Sequence, residues 1–394
     1  MTTRSAALAL TLCASAAHAD KLPLKAIEDP TGQMSHFYGA LARVKAKQPG
    51  AIARVLHYGD SITSNDSVTR RARERLQATF GDGGAGFMPF GMPSPSFRHF
   101  TARRTQKGWK VRNVTFVHLA DGRYGFGGAA FEGGPGAQST FSTMNKGELG
   151  KQVARFDIYY LIQPKGGTLA LEVDGKPAGT IETAGDKIAS GFKSVDVPDG
   201  EHALTVRVTA GKVRVFGVIM ERRGPGITYD NLGLASNSAK SLKGIRADHL
   251  REQLDHRGAD LIVVYLGTNE ADWYSPAAKS MAEYQEVYGE LLAGLRAAAP
   301  RASCLVMSST DAAVLTDGKW ISKPPLAPMV EAQRKAAAAK GCAFWDSFTW
   351  MGGKGSVVKW RRQGDWEPDL IHPNATGAAK VADGLVDALI AGAK

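Results

Sequence analysis

The run Val55 to Tyr58 is largely apolar, and it ends abruptly on Gly59-Asp60-Ser61. A helical pattern then begins at Ser67 and carries Val68, Ala72, Leu76 and Phe80 at i+4 spacing, with arginines elsewhere, until Gly81 stops it. Strand, sharp turn and helix in that order lift the Ser61 hydroxyl out of the strand end and aim a helix N-terminus at it. Backbone N–H groups and the helix dipole favour negative charge at such a place. An acyl-transfer nucleophile needs that environment. A turn or capping serine would satisfy the same three letters, so the rest of the chain has to decide.

From about residue 226 strands and helices alternate. Leu261 to Leu266 is wholly apolar and ends on Gly267-Thr268-Asn269-Glu270. Cys304 to Ser308 and Ala343 to Phe348 read as further strands. Helices are expected over about Ala239–His256, from Ser275-Pro276 to Ala299, over Pro328–Lys340, and from Asn374 to the C-terminus. Strands apolar on both faces and separated by helices predict a parallel sheet covered on both sides. In a flavodoxin-like α/β fold with strand order 2-1-3-4-5, the ligand crevice opens between the C-terminal ends of strands one and three. Ser61 follows the first and Asn269 the third, so the fold brings them together.

Between about residues 93 and 225 helical periodicity disappears. Short β-prone runs recur, among them Phe156–Ile162, Thr168–Val173, Ala203–Val208 and Val213–Glu221. Turn signals such as Asp174-Gly175 and Asp199-Gly200 separate them. This predicts an inserted β-sandwich of the jelly-roll kind, serving either to bind carbohydrate or to wall the site. The expected organisation is a leader over 1–19, a first α/β part over 20–92, the insertion over 93–225, and the second α/β part over 226–394. The glycine-rich stretch Gly81 to Phe87 is not a phosphate loop, since no Lys-Ser/Thr follows and no strand precedes it. It reads as a tight turn keeping backbone close to the site.

A serine nucleophile needs a base and a group to orient the base. Asp369-Leu370-Ile371-His372-Pro373-Asn374 supplies both in one turn before the last helix. At this spacing the carboxylate reaches one ring nitrogen while the other faces outward, which fixes the tautomer and stabilises the imidazolium. Of nine histidines, none other stands so placed. His57 lies inside the first strand and reads as a packing residue.

Arg4, the apolar stretch Ala6–Ala14 and Ala17-His18-Ala19 have the form of a cleavable secretory leader. The expectation is a periplasmic or secreted protein with no stable membrane insertion. Cys304 and Cys342 fit either a disulfide, as an oxidising compartment allows, or two buried thiols on neighbouring strands. Neither has zinc-site spacing, and no metal or other cofactor is expected. The formal net charge of +11 suits an anionic wall polymer. The basic residues are scattered, and no nucleic-acid motif is present.

These blocks together resemble the SGNH, or GDSL, hydrolase superfamily. Gly59-Asp60-Ser61 matches its nucleophile block, and Gly267-Thr268-Asn269-Glu270 matches its third block, with glutamate in place of the usual aspartate. Asp369-x-x-His372-Pro373-Asn374 matches the last. The second block follows Asn231. Its glycine position falls at Ser236, a departure from the pattern, with Gly233 as the alternative match. A β-rich insertion after the first block, with Phe80-Gly81-Asp82-Gly83-Gly84 before it, resembles bacterial peptidoglycan O-acetylesterases of the neisserial type. The resemblance implies Ser61 as nucleophile, His372 as base and Asp369 as its orienter. It also implies an oxyanion hole from the Ser61 and Ser236 N–H groups and the Asn269 side chain. The implied substrate is O-acetylated peptidoglycan. Another acetylated polysaccharide, or transfer to a sugar hydroxyl in place of water, would use the same triad.

Overall fold

A computed structural model describes residues 22–393. The expected leader over residues 1–19 lies outside the described residues. The central sheet has five parallel strands, Ile52–Gly59, Gly226–Gly233, Leu261–Tyr265, Ser303–Met307 and Ala343–Trp345. Numbered along the chain, their order in the sheet is 2-1-3-4-5. Strands two, three and four are buried throughout; strands three and four therefore read as apolar runs, whereas strand two buries Thr228, Asp230 and Asn231 as well. One face is covered by helices Ser35–Lys45, Ser67–Phe80 and Ala375–Gly392, around Phe37, Val55, Val68, Leu76, Tyr229 and Leu385. The other is covered by Ala247–Arg257, Ala278–Ala298 and Leu326–Ala339, around Val264, Tyr284, Leu292 and Met329.

Helix Ser67–Phe80 buries Val68, Ala72 and Leu76, as its spacing predicts. It also buries Arg73, which pairs with Asp66 at 3.1 Å with both side chains inaccessible, and which donates to the Tyr229 carbonyl at 2.9 Å. The pairing makes burial of that charge tolerable. His57 is buried too. Its Nδ1 lies 2.8 Å from the Tyr229 hydroxyl, and burial drops the imidazole to about 3, so it is a neutral packing residue.

The segment between strands one and two forms two antiparallel sheets of six and five strands. They close over a separate core that includes Phe131, Phe141, Phe156, Leu169, Leu204 and Val218. Strands Thr168–Val173 and Val213–Glu221 fall where the pattern puts them. Strand Arg103–Lys107 has no apolar residue and Gln138–Ser142 has only Phe141, so neither is marked by an apolar run, and both are additional. The six-stranded sheet also takes up Gly86–Pro89, which pairs with Val213–Glu221. Strand structure therefore begins a few residues before the change in composition at 93. The glycine run does not approach the site. Gly83 donates to the Ile227 carbonyl at 3.1 Å, near the start of strand two, whereas Ser61 follows the end of strand one.

Cys304 in strand four and Cys342, just before strand five, form a disulfide. No helix among the described residues is long and apolar enough to cross a membrane.

Candidate active site

Strand one ends at Gly59, and the chain turns at once into the short helical segment Ser61–Ser64. A β-carbon at Gly59 would lie 1.9 Å from the Thr63 hydroxyl oxygen, so a turn this sharp admits only glycine. The Asp60 carboxylate accepts from the Ile62 N–H at 2.9 Å and caps the segment. Ser61 emerges between them, half-buried.

Its Oγ lies 2.8 Å from His372 Nε2. On the other side of the ring, Nδ1 lies 2.7 Å from Asp369 Oδ2. A carboxylate only accepts, so Nδ1 carries the proton and Nε2 is free to accept the serine's. Asp369 Oδ1 also accepts from the Ile371 and His372 N–H groups at 2.9 and 3.0 Å. Partial burial pushes the Asp369 carboxyl up, but these donors outweigh it and hold the group below its ordinary 3.8. Asn374 completes the turn by capping helix Ala375–Gly392 through the Thr376 and Gly377 N–H groups. The three residues read from sequence as nucleophile, base and orienter are thus in hydrogen-bonded series.

The second-block alternatives separate on geometry. The Gly233 N–H is engaged by Asn231 Oδ1 at 2.9 Å. A β-carbon there would sit 2.3 Å from the Ser64 nitrogen, so Gly233 is a packing glycine. Ser236 is exposed, in the left-handed region at φ 60°, and its N–H has no acceptor among the described residues. Asn269 Nδ2 donates to the Asn237 carbonyl at 2.9 Å, and Asn237 Nδ2 donates to the Gly59 carbonyl at 3.0 Å. Asn237 was not visible as a site residue from sequence. Its signal was the polar run Ser236-Asn237-Ser238 straight after a buried strand.

Two buried acids lie behind these groups. Burial pushes Asp60 up from 3.8 to about 6, against the pull of the Ile62 N–H and of His372. Burial also pushes Glu270 up from 4.5 to about 7; the Ala239 N–H lowers it and the neighbouring Asp60 charge raises it. Glu270 Oε1 accepts that N–H at 2.9 Å, while Oε2 has no partner. The insertion closes the other flank. The Arg98 N–H donates to the Ser64 carbonyl at 2.9 Å, Ser96 Oγ lies 2.8 Å from Ser64 Oγ, and Thr115 Oγ1 donates to the Ala235 carbonyl at 3.3 Å. Among the described residues no cluster of three or more His, Cys, Asp or Glu could hold a metal ion.

Residues 184–380 match the GDSL-like Lipase/Acylhydrolase family. The chain belongs to that family, and is thereby an ester hydrolase. The matched stretch contains Asn269, Asp369 and His372, and the Ser61 block lies upstream of it. A solved structure of a peptidoglycan O-acetylesterase superposes with a TM-score of 0.76 at 24% identity, over 91% of this chain and 96% of that one. It shares this fold, insertion included. A family two carbohydrate esterase from Cellvibrio japonicus (TM-score 0.27, 10% identity, 73% of this chain and 97% of that one) is far more distant. So is an acetylxylan esterase from Geobacillus stearothermophilus (TM-score 0.30, 15% identity, 42% and 73%). No curated protein sequence matches the chain.

Proposed function

We propose that this esterase is exported and removes O-acetyl groups from peptidoglycan sugars by a Ser-His-Asp mechanism. The observation that carries the mechanism is the series Ser61 Oγ–His372 Nε2 at 2.8 Å and His372 Nδ1–Asp369 Oδ2 at 2.7 Å. His372 takes the Ser61 proton as Oγ attacks the acetyl carbonyl carbon. The oxyanion is held by the Ser61 and Ser236 N–H groups and by Asn269 Nδ2, which keeps a second N–H beyond the one given to Asn237. Collapse breaks the C–O bond to the sugar, and the imidazolium returns the proton to that oxygen. Water, activated by His372, then attacks the acetyl-serine and releases acetate.

The substrate reading draws support from the fold shared with a peptidoglycan O-acetylesterase and from the +11 charge. Export is supported by the leader-like N-terminus and by the Cys304–Cys342 disulfide, a bond that persists in oxidising compartments. The openness of the site also fits. The His372 and Asp369 side chains are 35% and 46% exposed, which suits a small acyl group on a bulky polymer. The test is acetate release from O-acetylated peptidoglycan compared with acetylated xylan. Release from peptidoglycan that disappears in Ser61→Ala is the expected result. Efficient release from xylan alone would refute the substrate assignment.

A further inference from the structure

Strands Ala313–Thr316 and Lys319–Ser322 pair only with each other. Val314, Leu315, Trp320 and Ile321 on this hairpin are 39%, 55%, 44% and 39% exposed. A lone two-stranded hairpin is marginal in water, and large apolar side chains on it gain nothing from folding unless something covers them. Leu315 stands opposite Trp320 and Val314 opposite Ile321. Alternation therefore puts Leu315 and Trp320 together on one face.

Both legs of the hairpin are rooted at the active site. The Ala313 N–H donates to the carbonyl of Leu370, between Asp369 and His372, at 3.0 Å. After the second leg, the Lys323 ammonium lies 2.7 Å from Asp272, with the lysine only 6% exposed. Asp272 lies three residues beyond Asn269, and the next residue, Trp273, is 58% exposed. One exposed indole, Trp273, thus adjoins Asp272, and another, Trp320, lies three residues before Lys323 on the hairpin leg that this ion pair anchors.

We infer that the hairpin, through Trp320 together with Trp273, is a binding platform for the sugar rings flanking the acetylated one. The inference rests on the proposed function and specifies how the polymer is held. A pyranose ring turns a face of C–H groups outward, and a flat indole covers it while leaving the hydroxyls in water. The catalytic turn is open, so an acetyl group alone buries little there. Affinity for a polymer has to come from parts of it remote from the reacting bond. The platform is close to electrically neutral, since Asp317 and Lys319 at the tip offset each other and Asp272 neutralises Lys323. A surface that anchors to anionic lipid needs an excess of positive charge instead.

The test compares Trp320→Ala with the parent in two settings. On p-nitrophenyl acetate, kcat/KM stays within about twofold; on O-acetylated peptidoglycan it falls by roughly five- to tenfold, as for loss of one aromatic contact. In a Ser61→Ala background, retention on insoluble O-acetylated sacculi falls by the same substitution and is largely restored by Trp320→Phe, which keeps a ring. Trp273→Ala acts in the same direction. Equal loss on both substrates, or unchanged retention on sacculi, overturns the inference. So does a Trp320-dependent change in oligomeric state by light scattering, or Trp320-dependent flotation with anionic vesicles, since each names a different occupant. Failure of the function reading looks different. The parent would hydrolyse p-nitrophenyl acetate yet release no acetate from peptidoglycan, and retention on sacculi would still report on the hairpin.

Discussion

The side-chain amide of Asn269 holds the backbone carbonyl of Asn237 at 2.9 Å. That one bond ties the loop after strand three to the loop after strand two, which carries Ser236. Asn269 thereby anchors the loop that carries Ser236 with one side-chain N–H and has a second N–H to offer the proposed oxyanion. Asn269→Ala should lower kcat by ~10²–10³, the usual loss for one oxyanion donor, with a smaller change in KM. Steady-state kinetics on p-nitrophenyl acetate measures this, and an unchanged kcat would remove Asn269 from the oxyanion hole.

Ser61→Ala and His372→Ala should each reduce turnover by ~10⁴–10⁶ and leave the thermal midpoint close to that of the parent. Neither side chain belongs to a core cluster, and neither fills space that a truncation would empty. Acetate release together with a melting scan tests both halves. Residual activity near the parent level in Ser61→Ala would sink the mechanism.

Ser236→Gly should be nearly silent in kcat/KM. At φ 60° glycine adopts the backbone conformation more readily than serine, and it keeps the N–H. A folded but inactive glycine variant would show that the hydroxyl takes part.

The readability of this chain followed how local each signal was. Asp369, His372 and Asn374 lie in one turn, so their spacing alone points to the carboxylate–imidazole pair and to the helix cap, and both hydrogen-bonded arrangements are present. Strand three, Leu261–Tyr265, was plain because both its faces are buried. Strand Arg103–Lys107 was not, because four of its five residues are exposed and no apolar alternation marks it. The helix expected over about Ala239–His256 is two, Ala239–Leu242 and Ala247–Arg257, with Gly244 in the break. The helix expected from Ser275-Pro276 starts at Ala278. Asp60 and Glu270 stand in recognisable blocks, but their burial side by side, and the bonds made by Asn237, are not legible in sequence because they depend on loops from three strands meeting in space.

The Cys304–Cys342 bridge spans 38 residues and pins the start of strand five to strand four. Replacing both cysteines by serine should cost about 2–4 kcal/mol of stability, read from denaturant midpoints. Dithiothreitol should lower the parent's midpoint and leave the double variant's unchanged. Equal stability of the two proteins would mean that the bridge does not form in solution.

The last prediction concerns Glu270, whose Oε1 supports the Ala239 N–H from inside the protein. Folding raises its carboxyl from 4.5 to about 7, chiefly because burial penalises the charged form. The folded state therefore binds more protons than the unfolded state between those values, and stability falls as pH rises through that window. A shift of this size corresponds to roughly 3 kcal/mol lost by pH 8. Asp60, raised from 3.8 to about 6, slopes the same way. Glu221 slopes the opposite way at lower pH: burial raises it, but Arg257 and Arg54 outweigh burial and hold it at about 2. Glu270→Gln keeps an acceptor for the Ala239 N–H and removes the titrating group. Its thermal midpoint should exceed the parent's at pH 8 and converge on it near pH 4.5. A constant difference across that range would mean that Glu270 is ionised in the folded protein as it is in the unfolded one.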